Sequence, residues 1–256
     1  MKNLNITVVC RFGNFIIQLK NAIKIALFYN YNVIVPKHDF FNTTYIVINE
    51  EVTIENEKIN NIFFFREQID FIDDFSLFDK NDEKMIEILK KIFILNDTFD
   101  LGSNDLVIHI RGGDLFTNMN IDRTCPMYVV PPLSYYINII ENNNFDVIYL
   151  ISEDLLNPCV NKLLELYPNI IFNIQLLKQD IELILSAPNI VVSYGTFVPQ
   201  ILTFSSKCKK CFFPSYFNSY INNVKSIPIN LDNYRKLIYP WKNTKEKYDL
   251  ILSYKL

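Results

Sequence analysis

The sequence predicts an α/β protein built as two Rossmann-like halves facing a cleft. Three observations carry that expectation. Short β-branched runs alternate with stretches whose apolar residues recur every three or four positions. The alternation occurs as two series, separated at Asp97–Asn104, where Asp, Asn, Gly and Ser cluster. At 256 residues, 50% hydrophobic and 21% charged, the chain can bury a sizeable core. The expected domains are residues 1–100 and 101–256.

In the first half, Asn5–Cys10 reads as a strand and Arg11–Asn14 as a glycine-containing loop. Phe15, Ile16, Leu19, Ala22, Ile23, Ala26 and Leu27 then lie on one face of a helix. Asn32–Val35, closed by Pro36, is a second strand, so the unit reads as βαβ with parallel strands. Short strands are expected at Tyr45–Ile48 and Ile62–Phe65, an acidic irregular stretch over Asp70–Asp82, and a helix over Glu83–Leu95.

The second series begins with a strand at Leu106–Ile110, followed by a long loop through Pro131 and Pro132. Helices are expected at Leu133–Glu141, Leu156–Tyr167, Gln179–Leu185 and Thr196–Phe204. Strands are expected between them at Val147–Ile151, Ile170–Phe172 and Ile190–Ser193.

In doubly wound folds, ligands sit at the carboxyl ends of the strands. Three loops fall there: Arg11–Asn14, Arg111–Asp114 and Ser193–Phe197. The Arg111 guanidinium is a permanent cation with a fork of donors matched to phosphate oxygens. Gly112 and Gly113 let the chain turn sharply and turn backbone N–H groups toward an anion. His109, two residues before Arg111 on a strand, points to the same face. The plainer alternative is a buried histidine, an Arg111–Asp114 ion pair and an ordinary turn. In the first loop Gly13 permits close approach, and Asn14 either caps the helix or bonds a sugar hydroxyl. In the third loop, hydroxyls and N–H groups suit a phosphate, or else Thr196 is an N-cap and Phe197 is core.

Composition and motifs exclude several classes. A net charge of -3 gives no basic surface for nucleic acid as the main partner. The start of the chain lacks the apolar region of a signal peptide, and no apolar run reaches membrane-spanning length, so a cytoplasmic location is expected. Cys208 and Cys211 form a CxxC without a second pair, and Cys10, Cys125 and Cys159 are scattered, so reduced thiols are expected rather than zinc. The sequence has no G-x-G-x-x-G, P-loop, G-x-S-x-G, H-E-x-x-H or D-x-D. No metal is expected, so a leaving diphosphate would be neutralised by arginine and backbone dipoles.

Together these residues resemble the fucosyltransferase superfamily. "RFGN" followed by a helix and "VIVP" resembles the N-terminal signature of the protein O-fucosyltransferases. "HIRGGD" resembles the H-x-R-R-x-D motif of the α-1,2- and α-1,6-fucosyltransferases and of the bacterial nodulation enzymes. "PPLSYY", "YLISED", "DIELILSAPNIVVSYGTF" and "FFP" follow in the order of the α-1,2 group, so the resemblance spans residues 4–214.

The resemblance implies a GT-B fold and inverting, metal-independent transfer of a deoxyhexose, fucose first, from a GDP-sugar to a glycan hydroxyl. Residues 1–100 would serve the acceptor and residues 101–256 the nucleotide sugar. Arg111 would stabilise the departing GDP, and His109 would line the nucleotide pocket. Arg11, Gly13 and Asn14 would lie near the sugar or diphosphate. Asp180 would lie near the nucleoside, with Asp154 on the rim. Ser193, Gly195, Thr196 and Phe197 would form the phosphate- and base-binding loop. Gly112 stands where the motif has its second arginine, which leaves a rhamnose nucleotide open as donor. The α-1,6 group carries a downstream glutamate where this chain has Met119. Asp114 belongs to the catalytic motif, and Asp122 and Asp39 are candidate bases or solvated loop carboxylates. Two other readings remain: a non-catalytic nucleotide-sugar or glycan-binding module, and a doubly wound protein for another phosphorylated metabolite. The acceptor is expected to meet the loop Phe116–Val130.

Overall fold

The structure is a computed structural model and describes residues 2–6, 11–51, 57–60, 81–117, 122–123, 128–174, 176–217 and 224–256. The chain divides into two compact units, Met1–Leu95 and Asn96–Leu256.

In the first unit, β1 (Asn3–Asn5), α1 (Phe12–Tyr29) and β2 (Asn32–Ile34) form the expected βαβ, with β1 and β2 parallel. Helix α1 buries Phe15, Ile16, Leu19, Ala22, Ile23 and Ala26, the stripe its spacing dictates. It stops at Asn30, which takes the left-handed conformation (φ 58°) usually left to glycine. Strand β3 (Tyr45–Ile46) runs antiparallel to β2, and β4 (Lys58–Asn60) parallel to β1. The sheet order is β3-β2-β1-β4, and α2 (Asp82–Ile92) follows.

Strand β1 lies earlier than the expected Asn5–Cys10, whose residues 7–10 are outside the described residues. Its asparagine-rich sequence disguises it, because side-chain hydrogen bonds compensate the burial of its polar groups. The Tyr45 hydroxyl donates to Asn3 Oδ1 at 2.9 Å, and Ile48 and Asn49 N–H groups donate to Asn32 Oδ1 at 2.6 and 2.8 Å. The strand expected at Ile62–Phe65 and most of the acidic stretch Asp70–Asp82 also lie outside the described residues.

The second unit carries β5 (Leu106–His109), α3 (Asp114–Thr117), β6 (Asp122–Arg123) and α4 (Leu133–Glu141). Next come β7 (Ile148–Ile151), α5 (Pro158–Leu166), β8 (Ile171–Phe172) and α6 (Leu177–Ser186). Strand β9 (Asn189–Val191), α7 (Phe197–Leu202), β10 (Lys210–Pro214) and β11 (Lys225–Ile229) follow. The chain closes with α8 (Asp232–Ile238), β12 (Trp241–Lys242) and α9 (Lys245–Ser253). Six parallel strands form one sheet in the order β11-β10-β9-β5-β7-β8, and β6 pairs antiparallel with β12.

From β5 the chain winds outward through β7 and β8, then returns to the other side of β5 for β9, β10 and β11. This reversal between β5 and β9 is the topological switch point, where helices diverge and leave a crevice. Strand β5 is buried along its whole length, as its nearly continuous apolar run requires of a central parallel strand. Leu106, Ile108 and Ile110 pack into one core with Tyr136 of α4, Val160 and Leu163 of α5, Tyr234 of α8 and Ile251 of α9. Among the described residues, no helix is long and apolar enough to cross a membrane.

Candidate functional site

Arg111 emerges just past β5, at the switch point. Its own backbone is held from both neighbouring strand ends. Its N–H donates to Ser193 Oγ at 3.0 Å, beyond β9, and its carbonyl accepts from Asn157 Nδ2 at 2.9 Å, beyond β7. Asn157 is fully buried and also caps α5, its Oδ1 accepting the Cys159 N–H at 3.0 Å. One side chain thus fixes both the helix start and the loop that aims Arg111.

The next residues are fastened to the β7 loop. Gly113 N–H donates to Asp154 Oδ2 at 2.9 Å, and Leu156 N–H donates to Asp154 Oδ1 at 3.0 Å. The Gly113 N–H, expected to face an anion, thus meets a carboxylate of the chain itself. The two glycines have separate reasons to be there. Gly113 has φ 63°, a left-handed conformation. At Gly112 a Cβ would drive into the Asp154 carboxylate, with Asp154 Cγ at 3.1 Å and Glu153 Cγ at 3.4 Å.

The Arg111 side chain is mostly buried, 16% exposed. Its Nη2 donates to Asp114 Oδ1 at 2.7 Å, and Glu153 Oε1 stands 4.0 Å from Nε. Nε is buried and makes no hydrogen bond. The plainer reading of Asp114 as the ion partner of Arg111 is therefore part of the site. Across the crevice, Gly195 has φ 106°, and a Cβ there would stand 3.5 Å from Arg111 Nη1. That φ, which an L side chain rarely adopts, is what calls for glycine, while a Cβ would only touch the guanidinium at ordinary contact distance.

His109 is buried with its ring 5.6 Å from that of Phe197, and its Nδ1 has no hydrogen-bond partner. Burial first, and the Arg111 cation second, push its pKa down to about 3. The imidazole is thus neutral at physiological pH, offering one donor and one acceptor. Helix α7 begins at Phe197 rather than Thr196, and the Thr196 side chain makes no cap bond.

The structure brings His109, Arg111, Gly112, Gly113, Asp114, Asp154, Ser193, Gly195 and Phe197 to adjoining strand ends. Asp180 lies in the first turn of α6, after the edge strand β8, where burial raises its pKa to about 7. Asp122 lies in β6, and its side chain is outside the described residues, as is Met119.

In the first unit the expected loop Arg11–Asn14 is instead the start of α1. Arg11 takes the N-cap position without a side-chain cap bond, and Gly13 and Asn14 lie within the first turn, so Asn14 is not the cap. His38 packs against Phe15 with ring centroids 5.5 Å apart, its Nδ1 accepting the Phe40 N–H at 3.3 Å, while Asp39 is exposed. Cys208 and Cys211 are buried free thiols, and burial pushes the first up to about 12. Among the described residues, no group of three or more His, Cys, Asp or Glu could hold a metal ion.

Two predictions arise here. Asn157→Ala removes a cap and orphans the Arg111 carbonyl, so it should cost about 2–4 kcal/mol in urea unfolding. Asn157→Ser keeps a capping oxygen and should recover the cap's share of that loss, about 0.5–2 kcal/mol; equal losses would contradict the assignment.

The second concerns pH. His109 has a folded pKa below its unfolded value, so its stabilising share is complete above pH 6.5 and is lost as pH falls toward about 3. Asp180 works the other way, with stability present below pH 3.8 and lost as pH rises through about 7. His109→Gln should therefore lose less stability than wild type between pH 6.5 and 3. Asp180→Asn should lose less between pH 4 and 7. Unaltered pH–stability curves in the variants would refute both assignments.

No family model matches the chain, and no curated protein matches it.

Proposed function

We propose that the protein is an inverting glycosyltransferase that moves a deoxyhexose, fucose first, from a GDP-sugar to a glycan hydroxyl. The observation that carries the reading is the Arg111 fork at the β5–β9 switch point, mostly buried, with its Nε–H making no hydrogen bond, near the neutral His109. The order of the fucosyltransferase-like motifs agrees with it. In the reaction, the acceptor oxygen attacks the anomeric carbon and the bond from that carbon to the β-phosphate oxygen breaks. The electron pair leaves with GDP, and the acceptor proton passes to a base, for which Asp122 is the candidate, or to solvent. Arg111 meets the charge that grows on the leaving diphosphate, a cationic role that requires no metal.

His109 and Phe197 would wall the nucleotide, and Ser193, Gly195 and Thr196 would line its phosphate side. Asp180 would serve the nucleoside. Arg11, Gly13 and Asn14 would serve the sugar or diphosphate from the first unit. The GT-B arrangement, with the first unit on the acceptor side, belongs to the same proposal.

A second reading, a non-catalytic nucleotide-sugar or glycan-binding module, draws on one feature. The N–H of Gly113 is already taken by Asp154 and cannot serve a leaving diphosphate without rearrangement. Turnover separates the two. GDP release from GDP-fucose or GDP-rhamnose in EDTA, stimulated by a glycan acceptor, supports the transferase; nucleotide binding with no release supports the module.

A further inference from the structure

Helix α3 (Asp114–Thr117) is a single turn, too short to persist on its own, so its conformation depends on what it is tied to. Within it, the Phe116 and Thr117 N–H groups donate to Gly113 O at 2.9 and 3.2 Å. A helix end leaves its last carbonyls without intrahelical partners, and here two side chains from far along the chain take them. The Trp241 indole N–H donates to Leu115 O at 3.1 Å, and Asn243 Nδ2 donates to Phe116 O at 2.6 Å. Both side chains are buried, and the Trp241 ring packs 5.3 Å from that of Phe116. At the head of the same turn, Asp114 Oδ1 accepts from Arg111 Nη2 at 2.7 Å. The backbone of the donor segment has a second attachment. Strand β12 pairs antiparallel with β6, with Trp241 opposite Arg123 and Lys242 opposite Asp122.

The geometry points to Trp241–Asn243 as a positioning segment that fixes the spacing between the Arg111 turn and the strand that carries Asp122. This inference rests on the proposed transfer at Arg111, with Asp122 as candidate base. In an inverting displacement the leaving group and the attacking oxygen occupy opposite sides of the reacting carbon, so the groups serving them must keep a set separation. Three consecutive residues hold both, one side by side-chain donors to α3 and the other by strand pairing. They act through that backbone and not on the substrate. Arg111 itself is held at its main chain by Ser193 and Asn157, independently of this segment. Loosening the segment should therefore disturb the chemical step more than nucleotide binding.

Trp241→Phe keeps an aromatic ring and removes the N–H, and Asn243→Leu keeps the approximate shape and removes the donor. The comparison variant is Ile139→Val, a core change in α4. With each protein folded by circular dichroism, kcat for GDP release from GDP-fucose or GDP-rhamnose should fall about 10–10²-fold in the first two, while GDP affinity stays within about threefold. Ile139→Val should keep its turnover. An unchanged kcat in folded Trp241→Phe overturns the inference and leaves the transferase reading standing. If wild type turns over no GDP-sugar, that reading fails, and spectra alone judge the positioning. In 15N–1H spectra the Arg111 Nε–H signal should shift and exchange faster with water in Trp241→Phe, and not in Ile139→Val. An unmoved signal in folded Trp241→Phe overturns the inference. Trp241 is the only tryptophan, so its indole N–H gives the reverse measurement in Arg111→Ala, with no need for either segment variant to fold. That signal should shift when the guanidinium is lost, and an unmoved one overturns the inference whatever the activity.

Discussion

Gly112→Arg, which restores the second arginine of the motif this chain resembles, is expected to damage the protein rather than improve it. A Cβ at position 112 would drive into the Asp154 carboxylate, which is anchored by the Gly113 and Leu156 N–H groups. Asp154 can yield only by giving up those bonds, at a cost of about 2–4 kcal/mol. The melting temperature should fall by about 4–12 °C. The turn that aims Arg111 should loosen with it, weakening nucleotide binding. A double-mutant cycle checks the cause: Gly112→Ala should be destabilising alone and nearly neutral in an Asp154→Ala background. Additive losses would mean that the crowding lies elsewhere.

Arg111→Ala is expected to leave the fold intact and remove the chemistry. The side chain contributes ion pairs to two part-exposed carboxylates, Asp114 and Glu153, and such pairs contribute little to stability. Its proposed role in the reaction is much larger. Loss of a single preorganised group facing a developing oxyanion lowers kcat by about 10²–10³. Arg111→Lys should recover only part of this, because an ammonium cannot present two parallel donors. The check is GDP release under single-turnover conditions alongside a melting curve. A stable variant with undiminished turnover would remove Arg111 from the mechanism.

Much of the second unit was legible because its signals are local. Helix α4 falls on Leu133–Glu141 as its spacing requires, β5 and β7 lie within the expected runs, and β9 overlaps its expected run at Ile190 and Val191. Those strand ends place Arg111 and Ser193–Phe197 side by side, as the rule for doubly wound sheets anticipates. The chain after Phe204 was not legible. Pro228 in β11 disguises a strand that tolerates proline because it is the outer one, and Pro214 closes β10.

The supports of the site were hidden for a different reason. Asn157 falls inside the helix expected at Leu156–Tyr167, whereas it caps the helix that starts at Pro158. Its second bond reaches a backbone carbonyl 46 positions earlier, and a carbonyl leaves no mark in the side-chain pattern. Asp154 was expected on the rim of the site. Its hold on the Gly113 N–H was not, because the bond joins residues 41 positions apart.

The most direct test of the central claim is calorimetric titration of the protein, in EDTA, with GDP, UDP, ADP and dTDP, repeated for Arg111→Ala. The account predicts that GDP binds more tightly than the other three without metal, and that its heat disappears in the variant. No binding of any nucleotide, or GDP binding that survives the loss of Arg111, would contradict it.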